Sequence, residues 1–454
     1  MNVAKTPVAK NEELTVTVED LTYEGMGVAK LDGYPLFIEG ALPGEQAVIR
    51  VTKADKKYAF ARLVNLLTTS PDRVTPRGRA YTQTGIAPLQ HLAYPAQLAF
   101  KATQIRNLYQ KAHLDVPVLA TLGMAQPFGY RNKAQIPVRD VNGQATTGFY
   151  KRRTHELVPL EDFYIQDPKI DAAVLVVRDL MRRYQVPAYD EANNRGVIRH
   201  IMVRRGYFSH QMMIVLVART WAVPYLDELV AGITAALPEV VSVILNLNER
   251  ATNVILGKKT RVLYGTPDLE DTLLGSRFRI SPLSFYQVNP QQTEVLYTEA
   301  IRRAGLTGHE VVIDAYSGIG TISLTMAKHA KKVYGVEVVP EAVADARENA
   351  KLNGIENAEF VVGKAEDVMQ QWKDQGLHAD VLMVDPPRKG LAPEFVAAVG
   401  VMLPPKIVYV SCNPATLARD LVALQGFGYR ADATQPVDMF PQTTSIESVT
   451  VLTR

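Results

Sequence analysis

Cysteine is almost absent: Cys412 is the one cysteine in 454 residues. That excludes a disulfide framework, a cysteine-built zinc site and an iron–sulfur cluster held by the protein. Long apolar runs are missing too. The longest, Phe395 to Ser411, is broken by Pro404, Pro405 and Lys406, so no membrane span is expected. The opening residues, MNVAKTPVAKNEE, have no apolar core, so no secretory signal is expected. A soluble, cytoplasmic protein is the expectation. Wholesale disorder is excluded in turn, because hydrophobic residues make up 47% and charged residues 21% of the chain, close to the globular average. A chain of this length accommodates roughly two to four domains.

The net charge of +3 hides an asymmetry. Residues 1–280 hold 35 Lys+Arg against 27 Asp+Glu, whereas residues 281–454 hold 15 against 20. Residues 51–153 alone carry 16 basic and 4 acidic side chains. Such a block suits a polyanion partner, most simply nucleic acid, although a solvated basic face gives the same count.

After a loose polar arm of residues 1–12, Gly-punctuated alternation from Leu14 to Leu67 predicts a small antiparallel barrel of about five strands, a domain of residues 12–71. Lys53, Lys56, Lys57 and Arg62 accompany Tyr58 there, as basic residues accompany aromatics in grooves for single-stranded nucleic acid. A boundary is expected at Pro71 to Pro76. Residues 77–280 read as a mixed α+β domain, with a helix over 94–112 carrying basic residues on one side. Arg131 and Lys133, in YRNKAQIPV, lie on strands of a basic, aromatic-bearing sheet in this domain. Beyond residue 281 apolar strands alternate with helices, which predicts a doubly wound α/β sheet over 281–454.

The unusual residues of that last region fall at strand ends. DAYSGIGT (314–321) follows the first strand and opens a helix, and Glu337 ends the next strand. Glycines in such a turn let a ligand approach the backbone, and an acidic residue at the next strand end can bind ribose hydroxyls. A plain strand–helix turn accounts for the glycines as well. Yet Tyr316, Glu337, Lys364 to Glu366, Asp385-Pro-Pro-Arg388 and Ser411-Cys-Asn-Pro414 each follow a successive strand, at the edge where open α/β sheets bind ligands.

Cys412 precedes a helix beginning near Pro414, and a helix amino terminus favours the nucleophilic thiolate. A lone cysteine is otherwise a small buried hydrophobe. Asp385-Pro-Pro-Arg388 is either a rigid turn or a loop facing a base, with Asp385 accepting hydrogen bonds and Arg388 steadying negative charge. Glu447 starts the final strand, from which it can reach the same edge.

With FYQVN (285–289), DAYSGIGT, DPPRKG (385–390), SCNP (411–414) and a glutamate in TTSIE, the chain resembles the bacterial RNA 5-methyluridine methyltransferases over nearly its whole length. The resemblance implies a class I methyltransferase sheet, a TRAM-like amino-terminal barrel, S-adenosylmethionine as cofactor and RNA, 23S rRNA foremost, as partner. It places cofactor binding at Gln287, Tyr316, Gly318, Thr321, Glu337 and Asp385, and substrate contact at Phe285, Arg388, Arg131 and Lys133. Cys412 matches the family's nucleophile and Glu447 its base.

Two departures stand out. Many relatives hold an iron–sulfur cluster through four cysteines, and Gly78, Thr84, Ala87 and Phe163 occupy those places here. No cluster is expected, as in the Gram-positive members, and packing must replace it. Gln442 and Ser445 stand where histidines often precede the glutamate, and a proton relay through them is one expectation. Methylation of a tRNA uridine, methylation of an exocyclic base nitrogen, a nicotinamide-dependent dehydrogenase and a non-catalytic RNA-binding assembly factor are the rivals. The nitrogen chemistry needs no cysteine, and the dehydrogenase leaves DPPR and SCNP without a role.

Overall fold

The computed structural model describes residues 6–454, so residues 1–5 of the expected arm lie outside it. The rest of that arm is not loose. Val8 is buried in the barrel core and the Asn11 amide donates to the Val51 carbonyl at 2.9 Å.

The barrel has six strands: β1 (Glu13–Thr17), β2 (Asp20–Leu21), β3 (Gly27–Leu31), β4 (Tyr34–Glu39), β5 (Gln46–Ala54) and β6 (Ala59–Leu66). Their order is β1-β5-β6-β4-β3-β2, one more than expected because β2 is only 2 residues long. Alternation does the folding: Leu36, Ile38, Ala47, Ile49 and Val51 point inward, while Phe37, Tyr58 and Phe60 cluster half-exposed on the other face. The expected boundary is anchored, since Arg73 donates to the Gly40 carbonyl at 2.7 Å and pairs with buried Glu45.

Next come α1 (Arg79–Thr84) and α2 (Tyr94–Lys111), then β7 (Lys133–Val141), β8 (Gln144–Tyr150), β9 (Leu157–Pro159), α3 (Pro168–Arg183), β10 (Ile198–Arg205), β11 (Met212–Ala218), α4 (Leu226–Ala236), β12 (Val240–Leu247) and β13 (Lys259–Gly265). The strands form one sheet in the order β13-β12-β11-β10-β7-β8-β9. Residues of α3 and α4 share one apolar cluster with this sheet. Ala87 and Phe163 are buried in that cluster with Tyr81 and Ile86. The Gln90 side chain donates to the Gly78 carbonyl and the Thr82 hydroxyl, both at 2.7 Å. Apolar packing and one amide thus hold the segment where the resemblance leads to cysteines being expected.

The expected basic face of α2 is corrected at its centre. Lys101 is fully buried and paired with equally buried Asp438, and Ile105 and Tyr109 pack with Leu382, Val384 and Tyr409 of the carboxy-terminal sheet. The helix therefore sits on that sheet. Removing either partner of the ion pair alone would strand a buried charge, at a cost of about 3–5 kcal/mol.

The remaining chain begins with a hairpin, β14 (Leu269–Leu273) and β15 (Ser276–Ile280), followed by α5 (Pro290–Ala304). Alternation of strand and helix then sets in: β16 (Val311–Asp314), α6 (Thr321–Ala327), β17 (Lys332–Glu337), α7 (Pro340–Leu352), β18 (Ala358–Val362), α8 (Ala365–Asp374), β19 (Val381–Val384), α9 (Pro393–Met402), β20 (Lys406–Ser411) and α10 (Pro414–Gln425). The antiparallel pair β21 (Arg430–Val437) and β22 (Glu447–Thr453) closes it. The order β18-β17-β16-β19-β20-β22-β21 is doubly wound, with β22 antiparallel to both neighbours. The hairpin residues Leu269, Leu273, Phe278 and Ile280 pack with α5 and this sheet, and Met202, Met213 and Val215 of the central sheet join them. No helix among the described residues is long and apolar enough to cross a membrane.

Candidate active site

The expected motifs meet at one edge of the sheet because parallel strands all end there. After β16 the chain turns through Gly318 and Gly320, with φ of +53° and +87°, a region open to glycine without steric cost. Asp314 is buried, accepting from the Ser323 hydroxyl at 2.5 Å and from the Tyr316 amide at 3.4 Å. Burial first, and Glu337 among the neighbours, pushes its carboxyl up to about 6. The Glu337 carboxylate accepts from the Gly318 amide at 3.2 Å and the Val339 amide at 2.9 Å. Tyr316 is half-buried against Phe395. Thr321 lies 3.4 Å from the hydroxyl of buried Tyr297, to which Gln287 also hydrogen-bonds.

The DPPR and SCNP loops are stitched together. Asn413 donates to the Arg388 carbonyl at 3.0 Å and caps α10 through the Ala415 amide at 3.1 Å. Asp420, buried in α10, accepts from the Leu391 amide at 2.8 Å and the Tyr409 hydroxyl at 2.7 Å. Gly390 has no alternative here: at φ +73°, an added Cβ would stand 2.5 Å from the Asp420 carboxylate. Arg388 stays exposed beside half-buried Asp385.

Cys412 and Glu447 are neighbours because β20 and β22 run antiparallel with Ser411 opposite Ser448. Burial, then the Glu447 and Asp385 charges, pushes the Cys412 thiol up to about 12. This corrects the expected thiolate: two carboxyls and poor solvation outweigh the helix terminus. Burial likewise raises Asp385 to about 7 and holds Glu447 well above the usual carboxylate range, with Arg388 acting in the opposite sense on Glu447. Burial thus favours the neutral form of all three acidic groups, in a site with one nearby cation.

Gln287 is buried, whereas Phe285, two residues earlier, is 69% exposed. Asn132 ties their loop to β7, donating its side chain to the Gln287 carbonyl at 3.2 Å and its amide to the Val288 carbonyl at 2.9 Å. Arg131 and Lys133 flank Asn132, half-buried rather than displayed on an open sheet. Burial, then Arg204 and Arg131, pushes the Lys133 ammonium down to about 7. Lys53, Lys56 and Lys57 are exposed on the barrel, at the β5–β6 connection, with Lys53 paired to Asp55 at 2.7 Å. Of the two residues named for a relay, Gln442 has its amide oxygen engaged, accepting from Gln97 at 3.0 Å. Sequence reading missed Tyr297, Asn413 and Arg204. Asn413 alone had a signal, as an Asn before Pro at a helix start.

Comparison with known proteins gives the family. The TRAM domain matches residues 7–64, and the tRNA (Uracil-5-)-methyltransferase family matches residues 257–454. An uncharacterized RNA methyltransferase of Lactiplantibacillus plantarum is 59% identical over 99% of this chain and 98% of its own length. The chain belongs to the RNA uracil-5-methyltransferase family. A second relative, from Enterococcus faecalis, is 53% identical over 99% of this chain and 98% of its own. The crystal structure of a Pyrococcus abyssi tRNA (uracil-54, C5)-methyltransferase with S-adenosyl-L-homocysteine superposes with a TM-score of 0.76 at 26% identity, covering 96% of this chain and 99% of that one. The methyltransferase is S-adenosylmethionine-dependent, and its edge residues fit that cofactor. Nothing lies within 4 Å of where a Gly318 Cβ would stand, so the turn has room for a ligand. Val338 and Val339, 60% and 45% exposed, offer apolar surface directly after Glu337.

Proposed function

We propose that the enzyme methylates uridine C5 in 23S rRNA through a covalent bond between Cys412 and C6. The carrying observation is the juxtaposition of Cys412, Glu447 and Asp385 at the ligand-binding edge of the sheet. C5 of uracil is a weak nucleophile. Addition of the Cys412 sulfur to C6 forms the S–C6 bond and moves the C5=C6 electron pair toward O4, where Arg388 steadies the charge. The thiol proton passes to Asp385, whose carboxyl near 7 suits it to receive one at neutral pH. S-adenosylmethionine, when bound, supplies an electrophilic methyl group, held by Gln287, Tyr316, Gly318, Thr321, Glu337 and the Asp385 region. C5 takes that methyl with the electron pair drawn back from O4, and the S–CH3 bonding pair stays with the departing S-adenosylhomocysteine. Glu447, ionised beforehand by release of its proton to solvent, then removes the C5 proton; its raised pKa makes the ionised form a strong base. The C5=C6 bond re-forms, the thiolate leaves, and Asp385 returns its proton.

The target base must leave its stack to enter. Exposed Phe285 offers a surface for it, and Arg131 and Lys133 offer cations for its phosphates. Lys53, Lys56 and Lys57 add a sequence-independent grip on the RNA, and the cytoplasm is the compartment this reading implies. Resemblance to the cluster-free Gram-positive group favours 23S rRNA. Similarity to a tRNA uracil-54 enzyme supports tRNA as the second reading. Incubation with methyl-labelled cofactor and total RNA decides: label in 23S rRNA is expected, and label confined to tRNA overturns that choice.

A further inference from the structure

The connection from β21 to β22, residues 438–446, leads directly into Glu447. Its backbone is held along an unbroken run. The Asp438 carbonyl accepts from Gln292 at 3.0 Å and the Met439 carbonyl from Asn289 at 2.9 Å. The Phe440 carbonyl accepts from Lys101 at 3.0 Å, and the Pro441 carbonyl from the Tyr130 hydroxyl at 3.0 Å. The Gln442 carbonyl accepts from the Leu89 amide at 3.0 Å. Five successive carbonyls are thus held by five residues remote in sequence. Loops ordinarily leave such groups to water.

Gln97 locks the far end of this run. Its amide nitrogen donates to the Gln442 side chain at 3.0 Å, and its amide oxygen accepts from the Gln442 backbone N–H at 3.0 Å. Gln442 is itself held at φ +69°, a conformation that a non-glycine residue keeps only when its surroundings enforce it. The barrel reaches the same segment, since a Cβ on Gly25 would stand 3.3 Å from the Thr444 methyl. The Glu447 carboxyl accepts no hydrogen bond among those formed between described residues, so packing and the entering backbone alone aim it.

We propose that Gln97, acting through Gln442, is a positioning residue for Glu447, and that α2 thereby sets the geometry of C5 proton removal. This rests on the reading of Glu447 as the base. The buried Lys101–Asp438 pair is the second fastening of the same segment to α2. A displaced base leaves cysteine addition and methyl transfer intact and slows the step after them.

The test uses the full-length enzyme with labelled cofactor and rRNA, comparing wild type, Gln97→Ala, Gln97→Glu, Gln442→Ala, the Gln97→Ala/Gln442→Ala pair and Glu447→Gln. Gln97→Ala is expected to lower turnover by up to about 100-fold, the scale of a catalytic group misplaced by about 1 Å, with cofactor affinity and RNA KM unchanged. It should also accumulate a denaturant-resistant enzyme–RNA complex whose RNA already carries the methyl group. The double variant should lose no more than the worse single one, because Gln97→Ala already removes the side-chain contact that Gln442→Ala removes. Gln97→Glu keeps the acceptor for the Gln442 N–H and should lose less than Gln97→Ala. A trapped complex in Glu447→Gln but none in Gln97→Ala overturns the positioning role alone. No trapped complex in either overturns the base assignment beneath it.

Discussion

Cys412 faces Glu447 across the β20–β22 ladder, one antiparallel step beyond the Ser411–Ser448 pair. The proposed nucleophile and base therefore sit at adjoining ends of two paired strands. Burial raises both pKa values, with Asp385 adding to each and Glu447 adding to the rise at Cys412. Burial and the neighbouring carboxyls thus favour the thiol over the thiolate in the RNA-free site.

That inversion of the usual reactive cysteine is measurable. A free thiol titrates at about 8.5, whereas burial first and then Glu447 and Asp385 push Cys412 up to about 12. Raised folded-state pKa means the reactive thiolate appears only at higher pH. Alkylation of the RNA-free enzyme should be slow at pH 8 and still rising at pH 10. An inflection below pH 8 would show that the helix terminus dominates after all.

Lys133 gives RNA binding a pH dependence of definite sign. Its ammonium is pushed down to about 7 by burial and by Arg204 and Arg131. Below pH 7 it is charged already and meets a phosphate at no protonation cost. As pH rises above 7 the free protein loses that proton, so affinity should fall from pH 7 to 9 by up to about tenfold per unit. Lys133→Arg should flatten the curve. A wild-type affinity constant across this range contradicts the contact.

The barrel lysines should act through charge alone. Each phosphate contact on single-stranded RNA contributes about 0.7 to the slope of log affinity against log salt. Replacing Lys53, Lys56 and Lys57 together by Ala should lower that slope by up to about 2 and leave cofactor binding intact. An unchanged slope would move the grip off the barrel.

The strand–helix alternation after residue 281 was legible because each parallel strand is an apolar run closed by a polar or Pro-containing loop. The same regularity brought Tyr316, Glu337, Asp385 and Cys412 to one edge on paper. The β14–β15 hairpin escaped notice because its turn puts Leu274, not an Asn or Asp, at φ +47° before Gly275, which removes the usual sequence signal. The thiol's protonation was illegible for another reason: Glu447 lies far along the chain and reaches Cys412 only through strand pairing. Gln97 and Gln442 are 345 residues apart. Nothing local marks such a contact, and a buried amide reads in sequence as a surface one.

The covalent route is the central claim, and a denaturing gel of two variants with labelled cofactor and rRNA tests it most directly. Cys412→Ala should neither methylate nor leave an RNA adduct, because no electron density reaches C5. Glu447→Gln should accumulate a denaturant-resistant complex whose RNA already bears the methyl group, stalled before elimination. Continued methylation of uridine C5 by Cys412→Ala would contradict the account outright.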